Sequence, residues 1–370
     1  MSGGPRFKAR RRWLDPSLLF TWMALVGLGW LLIYSTTYYQ PDLQRHAARQ
    51  AVFIVSGLAL QVYLSRQSLP GLLRLAPALY AASLALLVAV PIFGFEVNGA
   101  RRWLSLGPLG ALQPSELVKF TLPLLQVQLL QKGRWDLALL ALAGPALLVL
   151  KQPDLGTAAC YAASSWGLFF IAEFDWRALV GGTLLGGWLA SQGLHDYQKE
   201  RLLMFLDPEK DATGAGWNLI QAKIAVGSGG LQGLGVFQGL QKRLMYVPEQ
   251  HTDFLFTVLA EEWGLFGTTL LLLLFGLLLA RGFRLARRAE SREARWICAA
   301  ACWSLAFQTV VNLAMVIGLF PVTGIPLPLL SYGGTALLSQ CALLGLLHAE
   351  ASAQHQAGRA QARLQWAPRG

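Results

Sequence analysis

Pro248-Glu249-Gln250-His251-Thr252-Asp253-Phe254-Leu255-Phe256 is a junction, where a polar loop gives way to an apolar run. About twenty mostly apolar residues follow, enough to cross a bilayer as a helix. The junction therefore predicts a loop that delivers a carboxylate to the lip of a membrane span. Holding an ionisable group there is costly, which marks Asp253 as a functional candidate. Thr252 or Asp253 can equally cap the helix, with the carboxylate near the positive end of its dipole. Position alone leaves both readings standing.

The same kind of apolar run recurs along the chain. Its 370 residues are 54% hydrophobic and only 14% charged, with mean hydropathy +0.44; soluble domains carry about 25% charge. The expected fold is an all-α polytopic membrane protein, one integral domain over residues 1–370. Ten spans are predicted, at 16–36, 47–65, 71–93, 114–131, 135–150, 155–172, 176–193, 253–280, 295–319 and 333–353. Lys132-Gly133-Arg134 joins the fourth and fifth as a helical hairpin. The first run is too long for a signal-peptide core and has no persuasive cleavage site before Gln40, so it reads as a retained span.

Basic residues set the orientation. Residues 1–15 carry Arg6, Lys8, Arg10, Arg11 and Arg12, and 281–295 carry Arg281, Arg284, Arg287, Arg288, Arg292 and Arg295. Placing both inside also puts Arg66, Arg74, Lys132, Arg134, Arg177 and the tail 354–370 inside, as the positive-inside bias requires. Both termini are then cytoplasmic. The net charge of +11 belongs to these connections, which argues for a membrane and against nucleic acid.

Two segments face outward. Residues 94–113 include Asn98-Gly99-Ala100-Arg101-Arg102-Trp103 and Pro108. Residues 194–252 form a large loop between spans seven and eight, longer than ordinary connections. Its apolar members (Leu202, Leu203, Phe205, Trp217, Ile220, Ile224, Val226) predict helical pieces on the membrane surface. Cys160, Cys298, Cys302 and Cys341 all fall within apolar runs, without metal-ligand spacing, and read as small buried hydrophobes.

Four constellations could carry chemistry. Asp253, Thr257 and Glu261 recur every four residues and are expected on one helical face, with Glu262 beside them; the glutamates either serve the site or pair with neighbouring helices. Gln113-Pro114-Ser115-Glu116-Leu117-Val118-Lys119 opens the fourth span; Glu116 and Lys119 either pair or leave the lysine for a phosphate. Lys151-Gln152-Pro153-Asp154-Leu155-Gly156-Thr157 opens the sixth, with Asp154 as a cap and Lys151 a possible phosphate contact. Finally, Asn312 to Ala336 contains Pro321, Pro326 and Pro328 with several glycines. Irregular backbone at membrane depth must be buried in protein or line a polar cavity, so this stretch reads as re-entrant, carrying Ser331 toward an outer cleft, or as an outside turn.

Taken together, these motifs resemble the SEDS family (shape, elongation, division and sporulation) of polytopic peptidoglycan glycosyltransferases. The match covers nearly the whole chain, in order. Gly227-Ser228-Gly229-Gly230, Leu259-Ala260-Glu261-Glu262 and Pro326-Leu327-Pro328-Leu329 look more like the elongation branch than the division branch. The resemblance implies polymerisation of lipid II into glycan strands at the outer face of the bacterial cytoplasmic membrane. It implies Asp253 as the essential carboxylate and a class B penicillin-binding protein as partner.

Inverting one α-linked sugar diphosphate into a β-glycosidic bond needs a single displacement. Glycosidases use two carboxylates because the leaving alcohol must be protonated; diphosphate leaves without that proton if cations offset its charge. Asp253 is thus expected to take the proton of the attacking hydroxyl. Arg101, Lys119, Lys151, Lys242 and Arg243 are the candidates for diphosphate, with Ser331 on the substrate side and Glu116, His251, Thr252, Glu261 and Glu262 in support. No dedicated metal site is expected, though a divalent cation could be shared by Asp253 and diphosphate. A lipid-precursor flippase or a non-catalytic scaffold are the competing readings.

Overall fold

The computed structural model describes residues 13–38, 43–97, 99–107, 110–192, 205, 207, 216–244 and 246–365. The basic arm 1–12, Asn98, Pro108, Lys199 to Leu203 and residues 366–370, Arg369 among them, lie outside the described residues.

Helices occupy each stretch expected to span. They are α1 (Pro16–Thr37), α2 (Gln44–Ser65), α3 (Leu69–Phe93), α4 (Pro114–Gln131), α5 (Trp135–Lys151), α6 (Leu155–Ile171) and α7 (Trp176–Gln192). After two short loop helices, α8 (Trp217–Ser228) and α9 (Leu240–Arg243), come α10 (Leu255–Arg288), α11 (Arg292–Val316) and α12 (Gly334–Gln365). Six of them, α1, α2, α3, α10, α11 and α12, are long and apolar enough to cross a membrane. Local chemistry sets several starts. Asp15 accepts the amides of Ser17 and Leu18 at 3.1 Å ahead of Pro16, and Asp154 accepts the Thr157 amide at 3.0 Å. Both are side-chain caps that satisfy otherwise orphaned first-turn donors.

Two features depart from the expected layout, the first of them from its all-α character. Residues 94–113 hold a three-stranded antiparallel sheet of β1 (Phe95–Val97), β2 (Ala100–Ser105) and β3 (Ala111–Leu112), pairing Glu96 with Arg101 and Leu104 with Leu112. The other concerns α10, which continues past 280 to Arg288, so Arg281, Arg284, Arg287 and Arg288 lie on a helix rather than in a loop. Arginine is a good helix former and the run contains no proline. Arg281 uses the extension to grip Asp15 at 2.6 Å.

Inside a bilayer, apolar surface gains little by leaving lipid for protein, so helices associate through close packing and buried polar contacts. α12 packs along α2 and touches α4, α10 and α11, with Cys341, Leu343, Leu344 and Leu347 almost wholly buried. All four cysteines are free and buried. The connection 317–333 plunges into this bundle. Leu327, Leu329 and Leu330 are at most 1% exposed, and a Cβ on Gly29 would sit 2.5 Å from the Leu330 Cα. Gly29 lies eight residues before the end of α1 at Thr37, about 12 Å of rise. The connection is therefore re-entrant and not an outside turn.

α10 is broken at Gly264, where φ is 61° and ψ is −152°. The loop 229–235 fills the break: Leu234 and Gly235 amides donate to the Glu261 and Glu262 carbonyls at 2.9 and 3.0 Å, and the Leu265 amide donates to Gly230 at 2.9 Å. Backbone groups freed inside a helix need new partners in this environment. Only glycine fits here, since a Cβ at 264 would lie 2.4 Å from the Gly233 nitrogen.

Candidate active site

The loop 248–254 sits where the amino ends of α10 and α12 meet the carboxyl end of α11. Three successive carbonyls of this loop are caught, two by the connection that follows α11 and one by Asn312 within α11. The Tyr332 amide donates to the His251 carbonyl at 2.9 Å. The Ser331 hydroxyl donates to the Thr252 carbonyl at 2.6 Å. Asn312 donates from Nδ2 to the Asp253 carbonyl at 2.8 Å and to the Ile325 carbonyl at the same distance. Gln50 of α2 donates to the Ser331 carbonyl at 3.3 Å, bracing the clamp from behind.

Asp253 is half-buried, and its Oδ2 lies 3.5 Å from where a Cβ on Gly324 would stand. The cap position of α10 falls on Phe254, not on Thr252 or Asp253. The expected single helical face of Asp253, Thr257 and Glu261 is corrected accordingly, because Asp253 precedes the helix. The Thr252 hydroxyl turns back to the Glu249 carbonyl and carboxylate at 3.1 and 3.0 Å. His251 stacks on His46 with ring centroids 5.0 Å apart, and Tyr332 tilts against both rings. Burial holds the His251 imidazole below its ordinary pKa, opposed by the Glu249 carboxylate, whose Oε2 is 4.0 Å from Nε2.

Glu261 and Glu262 serve the loop that precedes α10. Glu261 accepts the Gln241 amide at 2.9 Å, at the start of α9. Glu262 is paired with Lys242, and Ser35 of α1 bridges them, receiving a bond from Lys242 at 2.5 Å and donating to Glu262 at 2.7 Å. The Lys242 side chain is 1% exposed, so this cation is spent in the interior.

Glu116 and Lys119 form a buried ion pair at 2.6 Å, with the Gln308 side chain 3.4 Å from the ammonium. Arg101, Lys151 and Arg243 are exposed. Arg101 donates to the Pro91 carbonyl at 3.2 Å and Arg243 to the Phe237 carbonyl at 2.9 Å. Among the described residues Lys151 has no partner. Arg102, given no role from sequence, staples the sheet to the α5–α6 turn: it donates to the Gln152 carbonyl at 3.0 Å and lies 3.9 Å from Asp154.

Asn312 and Gln50 were also passed over as site residues. Both are at most 1% exposed, and a polar side chain inside an apolar span is itself a signal of function. Among the described residues no group of three His, Cys, Asp or Glu side chains is gathered for a metal ion. A cavity of about 650 Å³, lined by Arg74, Lys132, Glu290, Glu293, Glu350 and Gln354 among others, lies at the opposite ends of these helices, away from Asp253.

A family model for cell cycle proteins of the FtsW/RodA/SpoVE type matches residues 16–356. The chain is 39% identical over 345 residues to peptidoglycan glycosyltransferase MrdB of Escherichia coli K12, covering 90% of this chain and 92% of that protein. It is 35% identical to the probable peptidoglycan glycosyltransferase FtsW of Halothiobacillus neapolitanus, covering 90% and 85%. Its fold is similar to a chain from a peptidoglycan synthase complex that coordinates polymerization and crosslinking, with TM-score 0.79, 35% identity, and 93% and 99% of the two chains covered. The crystal structure of Thermus thermophilus rod shape determining protein RodA superposes with TM-score 0.68 at 34% identity, covering 93% and 98%.

Proposed function

The chain belongs to the FtsW/RodA/SpoVE family of cell cycle proteins, and on that premise we propose that it is an elongation-type peptidoglycan glycosyltransferase that polymerises lipid II. Likeness to MrdB and RodA over nearly the full chain supports the activity and the elongation branch. The observation that carries the site is the clamped loop, which presents Asp253 where a re-entrant connection reaches the same end of the bundle.

In this reading Asp253 takes the proton from the attacking sugar hydroxyl as the glycosidic bond forms. Electrons flow from that oxygen to the anomeric carbon, and the lipid diphosphate departs with the bond electrons. No acid is required, because diphosphate is stable as an anion when cations stand near it. Lys119 and Lys242 are each neutralised by a glutamate in the interior, so the diphosphate falls to the exposed cations Arg101, Lys151 and Arg243. Ser331 is committed to the Thr252 carbonyl, which turns it from substrate contact to support. A divalent cation, if used, would be shared between Asp253 and diphosphate.

The remaining assignments follow the charge pattern. Ten spans cross the bacterial cytoplasmic membrane, with both termini inside and 194–252 outside, in one integral domain. The solved peptidoglycan synthase complex supports a class B penicillin-binding protein as partner. Incubating the purified chain with labelled lipid II tests the proposal. Glycan polymer from the wild type and none from Asp253→Asn is the expected outcome. Lipid movement without polymer would favour a flippase, and neither activity a scaffold.

A further inference from the structure

The clamp ties three consecutive backbone carbonyls to the carboxyl-terminal part of α11 and to the end of the connection that follows it, and from it we infer that Asn312 and Ser331 are positioning residues for Asp253. The inference rests on the proposed role of Asp253 as base and deepens it.

Residues 251–253 precede α10 and its cap at Phe254, so their carbonyls have no helical ladder partners and must be satisfied otherwise. Water could serve a half-exposed loop. Instead the carbonyls of His251, Thr252 and Asp253 meet the Tyr332 amide, the Ser331 hydroxyl and the Asn312 amide in turn. Ser331 is itself fixed, since its oxygen accepts the Leu327 amide at 2.9 Å. Asn312 adds a second reference point. Its one nitrogen also holds the Ile325 carbonyl, beside Gly324, which faces the Asp253 carboxylate. The backbone carrying the carboxylate and the wall opposite it are thereby registered to one side chain.

Asn312 is fully buried, yet its Oδ1 has no partner among the described residues. A residue kept only to fill space would be less costly as an apolar one, because an unsatisfied buried acceptor is penalised. What Asn312 supplies is direction. With the backbone fixed at 252 and 253, the carboxylate retains only its two side-chain torsions. A general base must come within about 2.6–3.2 Å of the proton it takes, and a displacement of about 1 Å can cost about a hundredfold in rate.

The test is steady-state lipid II polymerisation by the full-length chain, with Ser331→Ala, Ser331→Thr and Asn312→Asp. Ser331→Ala is expected to lower kcat about ten- to a hundredfold with KM for lipid II nearly unchanged, and Ser331→Thr, which keeps the hydroxyl, to restore most of it. In an Asp253→Glu background the longer side chain is no longer aimed by the clamp, so the loss from Ser331→Ala should shrink. A Ser331→Ala enzyme with wild-type kcat, or one losing the same factor beside Asp253→Glu, overturns the inference. If Asn312→Asp does not fold, the Ser331 pair decides alone. An Asp253→Asn enzyme with wild-type rate would instead remove the base role on which this inference stands.

Discussion

Asn312 holds Asp253 by its backbone: the Nδ2 to carbonyl bond is 2.8 Å long. The side chain proposed for catalysis is thus left out of the bond that fixes its position. Replacing the carboxylate should separate activity from folding. Asp253→Asn is expected to lower polymerisation by about a hundred- to ten-thousandfold, the range of a general base. Its melting curve in detergent should remain a single transition close to that of the wild type.

Lys242, Glu262 and Ser35 form a buried polar set far apart in sequence. Removing one member of a buried ion pair strands the other and costs about 3–5 kcal/mol, whereas replacing both with apolar side chains is often neutral. Lys242→Met is therefore expected to be strongly destabilising, and Lys242→Met with Glu262→Leu much less so. Thermal unfolding of the two variants in detergent checks this; equal destabilisation would contradict the pairing.

Gly264 holds the break in α10 open for the loop 229–235. Gly264→Ala forces a side chain into the Gly233 backbone and into a positive-φ conformation, a strain of about 1–3 kcal/mol from the backbone alone. The loop should then leave the break. Faster proteolytic cleavage within 229–243 than in wild type is the expected readout.

His251 predicts a pH dependence. Burial lowers its pKa from the ordinary 6.5, so below 6.5 the unfolded chain binds a proton that the folded loop resists. Stability from this group is full above 6.5, and is lost as pH falls from there through the folded pKa. His46, Tyr332 and Glu249 are the groups that face it. Melting temperature should drop on acidification below pH 6.5, and His251→Gln should flatten that slope.

Much of the site was legible, though roles were less so than positions. The junction at Asp253 follows from the change from polar to apolar sequence, and the Glu116–Lys119 pair and the Asp154 cap follow from spacings of three residues, which local geometry decides. Lys242 was read as a substrate cation because nothing in its neighbourhood reveals Glu262, twenty residues on, or Ser35 of the first helix. Asn312 was quoted within a motif and given no role. Its partners, Asp253 and Ile325, lie on either side of it in the chain, and only folding makes them neighbours.

By itself, the order of apolar runs determined a helical membrane protein and the helix end at which a carboxylate would emerge. Those properties depend on transfer between water and lipid, which each segment settles largely alone. Which cations remain exposed, where α10 opens and what aims Asp253 were decided by tertiary structure. The reason is that buried polar groups must find partners, and in this chain the partners come from helices distant in sequence.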